Sequence, residues 1–342
     1  MIHGNAIGLD YHDATVRICV LSPEGKTLAN HNCSNDWMAI RDAAGKHGPV
    51  ARVGIEACGG AANLAEQLVQ RAGWHVDLGH PGYIARMKKT PDKSDKTDAF
   101  VIGDLARLGY LPKVWLAPQV VRELRTLVRH RAALVKERTR LKQRIRAVLR
   151  EQRIKDESGV TAWTVTWMTW LKKAAVSAQG RFVIDADLRL LAFTLKEIAK
   201  VEKQLRSASV KDGLVWQLKQ EPGIGDVTAW TLRAEIGTFH RFNNGKQLAR
   251  FCGLSPRNAS SGKKQADAGL IQASNENLRS VLIEAAHRLI RCEPRWRELA
   301  AKLKAAGKKP CVVVAAIANR WVRSLFTRMK AALPATCTGG AA

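Results

Sequence analysis

Long apolar runs are missing from this chain: no window holds the ~18 uninterrupted apolar residues that a membrane span needs, so no membrane partner is expected. Paired cysteine motifs are missing too. The seven cysteines (Cys19, Cys33, Cys58, Cys252, Cys292, Cys311, Cys337) are scattered and never in CxxC spacing, which excludes a disulfide scaffold and a zinc ribbon and fits a reducing cytosol. The start, MIHGNAIGLDYHD, lacks a basic stretch followed by an apolar one, so no secretory signal is expected. Acid is scarce overall: 30 Asp plus Glu stand against 56 Lys plus Arg in 342 residues, a formal net charge of +26. Hydrophobic residues at 46% argue against wholesale disorder, and the length suggests two or three domains.

The shortage of acid is local. Residues 1–110 carry 12 Lys/Arg and 12 Asp/Glu, whereas residues 111–342 carry 44 and 18, so the whole excess lies in the latter. Basic charge confined to two-thirds of a chain is the footprint of a polyanion, most often nucleic acid. The neutral front segment then needs a different task.

That segment reads as α/β. Asn5–Asp10, Thr15–Leu21 and Thr27–Asn32 have strand patterning, with Pro23-Glu24-Gly25-Lys26 as a turn. A helix is expected after Asn35 as its cap, with Trp37, Ile40 and Ala43–Ala44 inward. A strand at Ala51–Glu56, a helix over Asn63–Ala72 and a strand at His75–Leu78 follow. Asp95–Leu108 closes the series as a helix, with Phe100, Val101, Leu105 and Leu108 at near-helical spacing. Three strands, a helix and then strand–helix alternation is the order of a ribonuclease-H-like sheet.

Four acids stand out in it. Asp10 lies inside an apolar strand, where an acid is costly unless it meets a cation. Glu56 ends a second apolar strand, and Asp95 and Asp98 lie three apart near a helix start, which puts both on one face. Converging carboxylates repel, and a divalent metal with hard oxygen ligands is the usual resolution; two such ions can stabilise both oxygens of a phosphoryl displacement. The bland alternative is that each acid is a turn former or a helix-start acid favoured by the macrodipole. Asp13, Asp92 and Asp104 are set aside as two turn acids and one acid further along the helix.

The middle, roughly 115–210, reads as helical. Val121–Arg153 holds 12 Lys/Arg and 3 Asp/Glu, with Leu127, Leu134, Leu141 and Val148 every seven residues. A second stripe runs through Leu188, Leu191, Leu195, Ile198 and Leu205, with Glu202 its polar member, so a helical hairpin or an intermolecular coiled coil is expected. Arg138, Lys142 and Arg146 are candidates to follow a phosphate backbone. Trp163, Trp167 and Trp170 fall on one helical face, where packing is favoured over base stacking. Further on, Glu221-Pro222-Gly223-Ile224-Gly225 between two helices has the form of a helix-hairpin-helix, in which Gly223 and Gly225 let backbone N–H groups approach a phosphate. The loop Gly253–Lys264 is small, polar and basic, and helices about 275–291, 295–305 and 311–333 complete an all-helical domain.

GLDYHD around Asp10, GIEACGG around Glu56, KSDKTDA around Asp95 and Asp98, EPGIGDVTA and FCGLSPRNASSGKK together resemble the DEDD transposases of the insertion-sequence-110 group, with the Piv DNA invertases as relatives. The resemblance runs over most of the chain. It implies a RuvC-like α/β domain (1–112), a basic helical coiled-coil region (113–210), an all-α C-terminal transposase domain (211–334) and a short tail (335–342). It further implies that Asp10, Glu56, Asp95 and Asp98 bind Mg²⁺ (or Mn²⁺), and that Ser261, rather than its neighbour Ser260, forms a covalent link to DNA. Arg257, Lys263 and Lys264 would then offset charge on the reacting phosphate. The implied partners are target and donor DNA, a structured noncoding bridge RNA that pairs with both, and further copies of the chain as a dimer or tetramer, in the bacterial cytoplasm at the nucleoid. Three rivals stay open: a metal-only nuclease or Holliday-junction resolvase, a DNA invertase without guide RNA, and a non-enzymatic nucleic-acid scaffold.

Overall fold

The computed structural model describes residues 4–87, 94–156, 159–258, 267–271 and 274–332, and divides the chain into two compact units, Met1–Gln119 and Val120–Ala342. In the first, β1 (Asn5–Tyr11), β2 (Thr15–Leu21) and β3 (Thr27–Ser34) form an antiparallel meander; β-branched and apolar residues fill β1 and β2, and tight turns join the strands. Helix α1 (Trp37–Gly45) is capped by Asp36, whose side chain accepts from Met38 N and Ala39 N. Asn35, the expected cap, instead donates to the carbonyls of His12 and Asp13 and so ties the β1–β2 turn to the end of β3. Then come β4 (Val50–Glu56), α2 (Ala61–Ala72), β5 (Val76–Gly79), α3 (Pro81–Met87), α4 (Asp95–Leu108) and β6 (Lys113–Val114). Neither α3 nor the two-residue β6 was expected.

The strands form one six-stranded sheet in the order β3-β2-β1-β4-β5-β6. β1 and β4 run parallel at its centre, with Gly8 opposite Gly54 and Leu9 opposite Ile55. These two glycines govern the position of α4. A Cβ on Gly8 would collide with the backbone of Ala99 and Gly103, and one on Gly54 would lie 3.0 Å from both Ala106 and Ile102. The helix therefore lies directly on the sheet through a face made mostly of small residues: Ala99, Gly103 and Ala106 are buried there with Asp98 and Ile102, while Phe100 is 36% exposed and Leu108 48% exposed. The stripe of Phe100 and Leu108 is thus not the buried one, because close seating against Gly8 favours Ala99 and Gly103 at the contact.

In the second unit, α5 (Gln119–Glu151) and α7 (Ala178–Ser209) run antiparallel: Arg131 pairs with Glu202 at 2.8 Å and Arg144 with Asp187 at 2.5 Å. Glu202, the polar member of the expected stripe, is there to meet Arg131. The buried line of α7 passes through Ile184, Asp187, Leu191, Thr194, Ile198, Val201 and Leu205, so Leu195 is exposed. Between them, α6 (Val165–Lys173) packs Trp167 and Leu171 against Ile145, Leu149 and Ile184. Trp163 precedes α6 with a positive φ instead of lying on its face, and its ring sits 4.6 Å from that of Trp167, so the tryptophans serve the core.

Helices α8 (Gly213–Lys219), α9 (Asp226–Ile236), α10 (Gly245–Phe251), α11 (Glu276–Cys292), α12 (Pro294–Ala305) and α13 (Pro310–Ala332) surround a core that includes Trp230, Leu289, Trp321 and Leu325. The expectation of helices alone is amended by one antiparallel ribbon, β7 (Pro256–Asn258) with β8 (Asp267–Leu270). Loop-type composition concealed it, since short ribbons need few β-favouring residues once their ends are tied. Among the described residues no helix is long and apolar enough to cross a membrane.

Candidate active site

Side chains alternate along a strand, so Asp10 faces the same way as Gly8 and Glu56 the same way as Gly54. Both acids therefore point to the face that α4 covers, at the C-terminal ends of adjacent parallel strands. The first turn of α4 delivers Asp95 and Asp98 to that end, and Asp98 is only 5% exposed. His12, two residues past Asp10, comes into the same cluster: its Nε2 lies 3.5 Å from Asp10 Oδ2 and 3.6 Å from Asp95 Oδ2. One ligand atom each from Asp10, His12 and Asp95 lies within 4.8 Å of the others. The field of the acids reaches Cys58, whose thiol is pushed above its ordinary pKa by burial first and then by Glu56, Asp10 and Asp13. Asp104, set aside above, pairs with Arg107 at 2.6 Å, while Asp92 lies outside the described residues.

In the second unit, Arg257 sits in β7, at the root of the segment that carries Ser260, Ser261, Lys263 and Lys264; these four lie outside the described residues. The root itself is firmly held. Ile271 N donates to Ser255 O at 3.1 Å, Asn319 Nδ2 donates to Leu254 O at 3.1 Å, and Arg279 donates to Ile271 O and Ser274 Oγ. Beside it is Glu235, 3% exposed, which accepts from Arg129 Nε at 2.8 Å and Nη2 at 2.9 Å, and from Asn275 Nδ2 at 2.7 Å. Asn275 also caps α11 by accepting from Leu278 N, so Glu235 orients the residue that starts the helix just after the ribbon. Burial under the same helices pulls the Arg241 guanidinium down to about 10 and pushes the Cys252 thiol up to about 12.

Arg138, Lys142 and Arg146 follow one another at four-residue steps on α5. Lys142 is held below its ordinary pKa by desolvation and then by Arg138 and Arg146, and its ammonium lies 4.8 Å from the Trp163 ring. A row of mutually repelling cations is relieved by a polyanion. In the PGIG turn, Gly225 is open, whereas Gly223 packs: its carbonyl accepts from Arg288 and a Cβ there would meet Leu289 at 3.0 Å.

Comparison with known proteins finds relatives over most of the chain. A family model described as Transposase, of the DEDD type in IS110 elements, matches residues 7–153, and one described as Transposase IS116/IS110/IS902 family matches residues 216–301. The chain belongs to the IS110 family of transposases. It is 27% identical over 287 residues to the transposase for insertion sequence element IS1111A of Coxiella burnetii, covering 83% of this chain and 78% of that protein. It is 28% identical over 291 residues to a probable family 20 transposase of Pseudomonas aeruginosa, covering 81% and 83%. A transposase for insertion sequence element IS1328 of Yersinia enterocolitica is 26% identical over 245 residues, 70% of each.

As an IS110-family transposase the protein is an enzyme that acts on DNA. A DEDD-type domain points to a divalent metal, and the donor set fits one: carboxylate oxygens of Asp10 and Asp95 and an imidazole nitrogen of His12 stand close enough to share an ion. Sequence reasoning missed His12, although its place just past the strand end, two residues after Asp10, was the available signal. It also missed Glu235, whose signal was the single acid in the run Ala229–Ile236, two residues after Arg233.

Proposed function

We propose that this transposase is an RNA-guided DNA recombinase of an insertion sequence that cuts and rejoins strands through Ser261. What carries the proposal is the gathering of Asp10, His12 and Asp95 where β1 meets the start of α4, with Glu56 at the end of the adjacent strand, in a chain of this family. A sheet order of β3-β2-β1-β4-β5 under a carboxylate-bearing helix supports a RuvC-like assignment. The antiparallel α5–α7 pair supports a coiled-coil role for 113–210, between domains at 1–112 and 211–334, with 335–342 as a tail.

Asp10, Glu56, Asp95 and Asp98 would hold Mg²⁺ or Mn²⁺, which when bound polarises the scissile phosphate and lowers the cost of ionising an alcohol. His12 would steady the carboxylates around it. The Ser261 hydroxyl gives up its proton, its Oγ–P bond forms as the P–O3′ bond breaks, and the departing 3′ oxygen takes up a proton. The phosphoserine ester conserves the bond energy, so the reverse step rejoins strands without a cofactor. Arg257, Lys263 and Lys264 would neutralise the reacting phosphate. The acids and the serine belong to different units of the chain, and one phosphodiester must meet both, from one protomer or from two copies in a dimer or tetramer.

The guide RNA is supported by the family resemblance and by the row Arg138–Lys142–Arg146, which suits backbone shape and charge more than base reading. Incubating the protein with a nicked suicide substrate and divalent metal tests the serine. A covalent protein–DNA adduct that vanishes in Ser261→Ala and persists in Ser260→Ala is expected. Cleavage and rejoining by Ser261→Ala would favour a metal-only nuclease. Ribonuclease treatment separates the guided enzyme from an invertase that needs no RNA.

A further inference from the structure

The second unit holds a cleft that none of the residues discussed so far lines. It lies between α10, α12 and α13, encloses about 860 Å³, and is edged by Lys246, Arg295, Lys302, Arg320 and Arg323, with Glu298 as its one acid. The spacing explains the convergence. Arg295, Glu298 and Lys302 recur at three- and four-residue steps on α12, as Arg320 and Arg323 do on α13, so each helix turns one face to the cleft. Lys246 is brought in by α10, which can approach because Gly245 has no side chain: a Cβ there would lie 3.0 Å from the Arg323 backbone.

Among the described residues none of these five cations makes an ion pair, whereas Arg131, Arg144, Arg233 and Arg328 elsewhere in the same unit are each matched to an acid. A solvated face would interleave both signs. The charged lining also distinguishes the cleft from small-molecule pockets, which are mostly apolar. Trp296, the aromatic residue in the wall, is buried, and the Arg295 guanidinium sits 4.9 Å from its ring, so no free face is offered to an unstacked base. What the cleft presents is mostly positive charge: five cations, with Glu298 and the hydroxyls of Ser324 and Thr327 beside them. A partner that matches it is a polyanion, and for an enzyme that acts on DNA that polyanion is the phosphodiester backbone of its substrate.

We propose that this cleft is a sequence-independent seat for the phosphodiester backbone of duplex DNA, in which Lys246, Arg295, Lys302, Arg320 and Arg323 bind and Glu298 limits the affinity. The seat depends on the protein acting on DNA and not on the serine chemistry or the guide RNA, so either can fail without the other.

The test uses the full chain and a noncognate DNA duplex of about 30 base pairs, titrated across salt. The triple variant Lys246→Gln/Lys302→Gln/Arg320→Gln changes exposed side chains only. It is expected to bind about tenfold more weakly at 0.15 M salt and to lower the log–log salt slope by about 2 to 3, roughly one for each phosphate no longer neutralised. Glu298→Gln is expected to tighten binding about two- to threefold, a gain that misfolding cannot produce. An unchanged salt slope in the triple variant would overturn the proposal, as would weaker binding by Glu298→Gln. So would a loss confined to an RNA duplex of the same sequence.

Discussion

The two units handle carboxylates in opposite ways. In Val120–Ala342, buried acids are surrounded by arginine: Asp187 meets Arg144, and Glu235 meets Arg129 at 2.8 Å with Arg125 at 3.6 Å. In Met1–Gln119 the sheet and α4 bring acids toward one another, Asp10 and Asp95 with His12 between them. A buried acid paired with cations is a structural element whose removal strands its partners. Acids gathered on acids cost folding energy, and a metal site is what relieves it. The same residue type therefore holds the helices together in one unit and gathers at a candidate metal site in the other. Asp77, buried beside Lys113 at 2.9 Å and Arg52 at 3.5 Å, shows that the first unit also pairs acids that lie outside the site.

The comparison is broken most directly in the basic unit. Glu235→Ala leaves Arg129 and Asn275 without their acceptor and Arg125 without its ion-pair partner, and is expected to cost about 3 kcal/mol, the low end for a buried pair because Arg129 is half-exposed. Chemical denaturation of the full chain would record it. The second unit alone should lose stability, and the transition of the first should stay where it was.

Asp10→Asn is the counterpart in the first unit. Stability should hold or rise as repulsion is removed, while DNA cleavage with Mg²⁺ falls on the order of 100-fold or more. A variant that unfolds in place of losing activity would make Asp10 structural, like Glu235.

Gly8→Ala tests how the acids are assembled. The new methyl group meets the α4 backbone, so a loss of about 2 kcal/mol is expected together with weaker metal binding, read by calorimetric titration of Mn²⁺. Normal Mn²⁺ binding in this variant would mean that the seat of α4 does not set the site. The smallest effect is expected from His12→Ala: about tenfold weaker Mn²⁺ binding with an unchanged melting temperature.

Much of the first unit was legible beforehand because β1, β2, β4 and α4 have strong local patterns, and Asp10 and Glu56 interrupt or end apolar runs. The buried face of α4 was not legible. Hydrophobic spacing nominated Phe100 and Leu108, and only the facing glycines, 46 positions apart in sequence and opposite one another in register, turn the helix onto Ala99, Gly103 and Ala106. The β7–β8 ribbon escaped for a related reason: what holds its root is Asn319 from the distant α13 together with Arg279 of the helix that follows, and local propensity does not report such ties.

By itself the sequence determined the kinds of material available: a neutral α/β segment, basic helices, four acids at intervals that suit strand ends and a helix start, and a net charge that calls for nucleic acid. These are local or summed properties, and chain order carries them. Which charges are neutralised and which are left to gather was decided only in three dimensions. Arg129 reaches Glu235 across 106 residues, and Asp95 reaches His12 because two glycines admit a helix to the sheet. Electrostatic free energy depends on distance through space, so the division between structural and reactive acids exists only once the chain has folded.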